Sequence, residues 1–119
     1  MYKTTKCFFL SRLIATSLVM IIFLFSNTTY AESIFEYLTP TADSSPAGLA
    51  FDSKGNLWFA EVNGNKIGKL TPSKVKPGTS DGIVEYELPH ANSKPQYLMV
   101  SRDDIVWFSE MGGNRIGRL

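Results

Sequence analysis

Cysteine and histidine, on which many secreted proteins and metal enzymes depend, are almost missing from this chain, which holds one of each, Cys7 and His90. Cys7 lies within the first 31 residues, and a chain that loses them has no disulfide, no thiol nucleophile and no thiolate metal site. His90 follows Pro89 in a polar connector. A lone loop histidine is far more often a solvated side chain than a catalyst. An excess of one charge is missing as well. Lys3, Lys6 and Arg12 are basic residues of the leader, and without them nine Lys and Arg face eleven Asp and Glu, a net of about −2. Nucleic-acid binding needs clustered Lys and Arg and a high pI, and is excluded. Beyond residue 31 no stretch keeps a helical period over ten residues, which leaves an all-β chain.

The leader itself reads as a secretory signal peptide spanning residues 1–31. A basic start precedes an apolar core from Leu13 to Phe25, broken only by Thr16 and Ser17, and Thr29-Tyr30-Ala31 supplies small residues for cleavage. An uncleaved membrane anchor is the competing reading, but a spanning helix wants about 20 apolar residues and this run reaches that only by including Arg12. Cys7 precedes the apolar core, the wrong side for a lipid-modified cysteine. The expected product is an exported chain, periplasmic or extracellular, with no stable membrane span after cleavage.

What the remaining residues do contain is a repeat. Sliding the chain by 49 positions lays Leu57-Trp58-Phe59-Ala60-Glu61 on Val106-Trp107-Phe108-Ser109-Glu110, and Lys66-Ile67-Gly68-Lys69-Leu70 on Arg115-Ile116-Gly117-Arg118-Leu119. From Pro46/Pro95 to Leu70/Leu119, ten of 25 pairs are identical; unrelated sequence would give about one or two. The same offset matches Ile34-Phe35-Glu36-Tyr37 to Ile83-Val84-Glu85-Tyr86 and Pro40 to Pro89. A period in this range is the signature of propeller blades. Residues 32–119 are therefore expected to form a partial β-propeller of four-stranded antiparallel meanders, with repeat one at 34–82 and repeat two at 83–119.

About eight short strands are expected: Ile34–Leu38, Gly48–Phe51, Leu57–Glu61, Lys66–Leu70, Ile83–Leu88, Tyr97–Val100, Val106–Glu110 and Arg115–Leu119. Asp52 to Asn56 and Asn63-Gly64-Asn65 carry turn chemistry. Asp52, Asp103 and Asp104 lie in turns, where capping of local N–H groups accounts for them. Apolar residues on both sides of Leu57-Trp58-Phe59-Ala60 suit a blade packed on both faces. Gly68 and Gly117 sit inside strands, a sign that another group approaches closely; the expected occupant is a Trp of a neighbouring strand. Glu61 and Glu110, one per repeat, are weak candidate ligands for a hard cation. A residue present in each copy more commonly does one structural job, here accepting turn N–H bonds or pairing with Lys66 and Arg115.

The repeat motif of Trp58, Phe59, Glu61, Asn65 and Gly68, returning as Trp107, Phe108, Glu110, Asn114 and Gly117, together with Ile-x-Glu-Tyr-x-x-Pro, resembles the streptogramin lyase (virginiamycin B lyase) family over nearly all of residues 34–119. The resemblance implies a seven-bladed propeller with Mg²⁺ near its axis, opening a cyclic depsipeptide at its ester by elimination. It also implies a histidine directly after the blade proline; here those positions hold Ala47 and Gln96, neither of which is a base, so no catalytic residue is assigned. The same blade grammar serves NHL-like and gluconolactonase-type relatives. A non-catalytic binding module for a small molecule or peptide, and a lactonase-type metal hydrolase, thus stay open beside an incomplete lyase. Two repeats leave apolar faces and a strand edge bare. Such a chain is either poorly stable alone or joined to further blades or copies of itself.

Overall fold

The computed structural model describes residues 32–119; the expected signal peptide lies outside the described residues. Among the described residues there are seven strands, each pairing antiparallel with the next within its sheet. The first sheet runs in the order β1 (Pro46–Phe51), β2 (Leu57–Glu61), β3 (Lys66–Leu70) and β4 (Ile83–Glu87), and the second in the order β5 (Pro95–Val100), β6 (Val106–Glu110) and β7 (Arg115–Arg118). The single helical element among the described residues is a 3₁₀ turn at Met111–Gly113. These are two propeller blades, one complete and one of three strands. The fourth strand of the first blade comes from the start of the second sequence repeat.

The turns repeat as the strands do. Asp43, Ser45 and Asn65 hold positive φ angles, and so do Asn92, Lys94 and Asn114, each 49 residues later. At the β1–β2 corner the Asp52 N–H donates to the Asn56 carbonyl at 3.0 Å, and at the β5–β6 corner Ser101 donates to Ile105 at 2.9 Å. Gly55 and Asp104 supply the left-handed residue, at φ 78 and φ 59. Different side chains therefore make one turn geometry, because Asp tolerates the left-handed region better than most residues do.

Each inner strand carries an irregularity at the same place, between Ala47 and Leu49 in β1 and between Pro95 and Leu98 in β5. An extra residue bends the strand and breaks its ladder locally. Gly48 meets this demand at φ +43, with its Cα so close to the neighbouring blade that a Cβ would lie 2.5 Å from the Gln96 carbonyl oxygen. Trp58, Ala60 and Ile67 of the first sheet pack against Val106 and Phe108 of the second, with Tyr86, Leu88, Leu98 and Val100 around them. Burying each of the larger side chains is worth about 1.5–3 kcal/mol. The Trp58 and Tyr86 rings stack with centroids 5.7 Å apart.

Two expectations need correction. Ile34–Leu38 is not a strand: its backbone bonds run to the 71–82 loop, from Leu38 N–H to the Thr79 carbonyl at 3.0 Å and from Gly78 N–H to the Glu36 carbonyl at 2.8 Å. A strand needs a ladder, and its copy β4 finds one on β3, whereas 34–38 joins neither sheet. The occupant over each strand glycine is Phe and not Trp. Phe59 stands directly across from Gly68, and Phe108 from Gly117. A Cβ on either glycine would lie 2.2 or 2.3 Å from that ring.

Candidate functional site

Pro46 and Pro95 open the inner strands opposite Glu61 and Glu110, the last residues of β2 and β6. One blade corner in each repeat thus gathers the blade proline, the residue after it and the repeat carboxylate. Ala47 and Gln96, the positions after the prolines, are half-buried at the strand irregularity. Neither side chain can take a proton from carbon.

The two carboxylates occupy equivalent places and have opposite electrostatics. Glu110 is buried and accepts from Arg115 Nε at 3.1 Å and Nη2 at 2.8 Å. The Ser93 hydroxyl and then Arg115 hold its carboxyl below the ordinary range, against the effect of burial. The hydroxyl itself donates to the His90 carbonyl at 2.9 Å, so Arg115 is the firm partner. Glu61 is fully buried, and no donor reaches either of its oxygens. Burial, followed by the nearby Glu85 carboxylate, pushes it up to about 7, although Lys66 opposes the shift. When protonated, it can donate to Glu85.

Lys66 does not pair with Glu61, contrary to the sequence expectation. Its Nζ lies 2.8 Å from Glu85 Oε2 and donates to the Thr41 hydroxyl at 2.8 Å. Thr41 in turn donates to Glu85 through its N–H at 2.8 Å and its hydroxyl at 2.7 Å. These bonds hold Glu85 below the ordinary range despite burial. The hydrogen bond to Glu85 raises Lys66. The difference between the blades is therefore β4: where a fourth strand supplies Glu85, the basic residue turns outward to it and leaves the repeat glutamate alone.

Other candidates resolve into structural work. Asp52 accepts from the N–H groups of Lys54 and Asn56, from Asn56 Nδ2, and from the Trp58 indole at 3.0 Å. Burial would raise its pKa, but the side-chain bonds from Asn56 and Trp58 outweigh it and lower the carboxyl to about 2. Asp104 does not cap its own turn but accepts from the N–H and hydroxyl of Ser53, at 2.8 and 2.5 Å, tying one blade's turn to the other's. Asp103 is exposed. The His90 side chain is exposed too, and its carbonyl is what the fold uses. Asn65, singled out as a repeat residue, donates from Nδ2 to that carbonyl at 2.9 Å and accepts the Ser93 N–H at 2.7 Å. It is a latch between blades, a role invisible until the connector is in place.

Among the described residues no three His, Cys, Asp or Glu side chains gather as a metal site. Glu110 is already matched by Arg115, and Glu61 is a lone, proton-favouring carboxyl. Mg²⁺ takes near-octahedral oxygen coordination, and the described residues do not fit it. A cleft of about 440 Å³ is lined by Gln96, Tyr97, Ser109, Glu110, Arg115 and Ile116 on the open flank of the second blade.

Comparison with known proteins gives one consistent family. The sequence model of the virginiamycin B lyase family matches residues 25–119. A virginiamycin B lyase of Bacillus licheniformis is 45% identical over 38 residues, which are 32% of this chain and 13% of that protein. A streptogramin B lyase structure superposes at a TM-score of 0.61 with 37% identity, over 70% of this chain and 26% of the other. Selenomethionine-substituted virginiamycin B lyase from Staphylococcus aureus gives 0.66 and 38%, over 76% and 29%. A catalytically inactive virginiamycin B lyase of that organism, with quinupristin, gives 0.58 and 39%, over 67% and 25%. The chain thus spans little more than a quarter of the length of these solved relatives.

Proposed function

The chain belongs to the virginiamycin B lyase family, and from that premise we propose that it is an exported pair of blades of a lyase-type propeller, serving as scaffold and not as the catalytic part. The whole ring's reaction in this reading opens a cyclic depsipeptide at its ester. A base removes the proton beside a carbonyl, the ester C–O bond breaks, and the products are a carboxylate and an alkene. The observation that supports the scaffold role is the inner-strand irregularity itself. It carries Ala47 and Gln96 at the positions after the blade prolines, and neither holds a base. Glu61 is sealed from solvent, and no step is routed through a metal that the described residues do not fit.

The test is to incubate the purified protein with quinupristin and Mg²⁺, with and without chelator, and to follow the macrocycle by chromatography and mass spectrometry. The expected result is an intact macrocycle. A linear product that chelator abolishes would overturn the scaffold role. Its mass would name the reaction, since elimination leaves the mass unchanged and a lactonase adds one water. The mass of protein recovered outside the cell checks export. Residues 32–119 are expected, and full-length chain held in membranes would favour an anchor.

A further inference from the structure

Glu61 ends β2 on the face of the first sheet opposite to the one that Trp58, Ala60 and Ile67 turn to the second blade. Directly opposed residues share a face, as do residues two apart. Lys66 lies opposite Glu61, and Glu85 and Glu87 lie opposite Gly68 and Lys66, so all four stand on that face. The segment 39–44 crosses this corner as a strap. One end is fixed where the Ser44 carbonyl accepts the N–H groups of Asn63 and Gly64 at 3.0 and 3.2 Å. Gly64 sits so close beneath it that a Cβ there would lie 2.7 Å from Glu61 Oε2 and 3.2 Å from Ser44 Cβ. The other fixing is Thr41, whose N–H and hydroxyl donate to Glu85 while the hydroxyl accepts from Lys66.

Under this strap Glu61 is 0% exposed, and no donor among the described residues reaches either oxygen. The charged groups that act on it are the Glu85 carboxylate from β4 and the Lys66 ammonium from β3. Glu87 is exposed and only 3.9 Å from Lys66 at its nearest. The strap adds hydroxyls and the exposed Asp43, β1 brings Pro46, and the 62–65 turn holds no titratable group; His90 and Lys94 of the next connector are exposed. One ammonium therefore serves two carboxylates. It sits on Glu85 and Thr41, an arrangement that suits a Glu61 that keeps its proton, as burial and then Glu85 make it do. The second blade displays the alternative. From the same register position, opposite Glu110, Arg115 reaches the repeat carboxylate at 2.8 Å.

We propose that the 39–44 strap is a pH-gated cover over Glu61: when Glu61 gives its proton to solvent, the Lys66 ammonium swings from Glu85 and Thr41 to Glu61, and the Thr41 part of the strap lifts. Two carboxylates close together in a dry corner repel each other. Once Lys66 has left, Glu85 keeps only its two bonds from Thr41, and releasing Thr41 lets water reach both carboxylates. The strap stays tethered on either side of the opening, by Leu38 N–H on the Thr79 carbonyl and by Ser44 on the 62–64 turn. The cover is shut at acid pH and open above neutrality. It belongs to the first blade alone, since His90 stands where Thr41 would recur and Glu110 is already matched by Arg115. The inference goes beyond the scaffold reading and is tested without an activity assay.

Amide hydrogen exchange followed by NMR reads the two fixings of the strap separately. The Thr41 N–H reports the clamp on Glu85, and the Asn63 N–H reports the Ser44 carbonyl. After correction for the intrinsic pH dependence of exchange, Thr41 protection should fall about tenfold or more between about pH 5 and pH 8. Asn63 should keep its protection over that range. The Glu61 carboxyl carbon resonance should titrate together with the loss at Thr41. Glu61→Gln cannot ionise, so its Thr41 should stay protected at the upper pH. The readings on the unaltered chain decide the matter even where this variant does not fold. Thr41 protection that is constant with pH, loss of protection at Thr41 and Asn63 together, a Glu61 resonance that titrates in the ordinary carboxylate range, or a Glu61→Gln protein that opens like the parent would each overturn the proposal.

Discussion

A buried carboxyl with no donor is unusual enough to be measurable, because desolvation disfavours its charged form and makes it hold a proton. The Glu61 carboxyl is raised from 4.5 to about 7, by burial first and by Glu85 second. Since the folded value lies above the unfolded one, the folded state binds the proton more tightly. The resulting stability is complete below about pH 4.5 and is lost as pH rises to about 7. At about 1.4 kcal/mol per pKa unit the loss is on the order of 3 kcal/mol. The prediction is a urea midpoint that falls between about pH 5 and pH 8. Glu61→Gln should flatten this dependence and be the more stable protein at the upper pH. A parent whose midpoint does not move over that range would show that Glu61 carries no such proton. Glu110, at the same place in the repeat, has Arg115 and is shifted the other way. No sequence reading separates the two, because both blades read Trp-Phe-x-Glu and the difference lies in whether a fourth strand stands beside the basic residue.

At the scale of strands, the cross-strand pairing of Phe59 with Gly68 leaves no room for a side chain on the glycine. Ala at Gly68 would put its Cβ 2.2 Å from the Phe59 ring, forcing ring or backbone to shift at a cost of about 1–3 kcal/mol. Phe59→Leu clears that space, so the double variant Phe59→Leu/Gly68→Ala should lose less than the sum of the two single losses. A double-mutant cycle by urea unfolding reads the coupling, expected at about 1 kcal/mol or more; additive losses would mean that the ring is not what excludes a side chain there. The sequence made it legible that something large sits over each strand glycine, since glycine weakens a strand unless space is needed. It did not reveal which aromatic, because that depends on register: Phe59 and Gly68 are directly opposed, while Trp58 faces Lys69. Strands with a partner nearby in sequence were legible from apolar runs and turn residues. Ile34–Leu38 shares Ile, Glu and Tyr with β4 at matching positions and is not a strand, since a ladder belongs to two segments and composition describes one.

For the whole molecule, the 49-residue period carried most of what could be read, because like sequences make like blades and the meander order follows from the turns. The period says nothing about which blade face is covered, and the two tryptophans report that difference. Trp58 is 8% exposed, stacked on Tyr86 and bonded to Asp52, while Trp107 is 37% exposed on the open face. Trp58→Phe leaves Trp107 as the sole tryptophan, and Trp107→Phe leaves Trp58. Asp52 keeps its bonds to the backbone of Lys54 and Asn56 in either case. In dilute solution acrylamide should quench Trp107 markedly more strongly than Trp58, since a collisional quencher needs access to the ring. Equal quenching of both at high dilution would place the open face elsewhere.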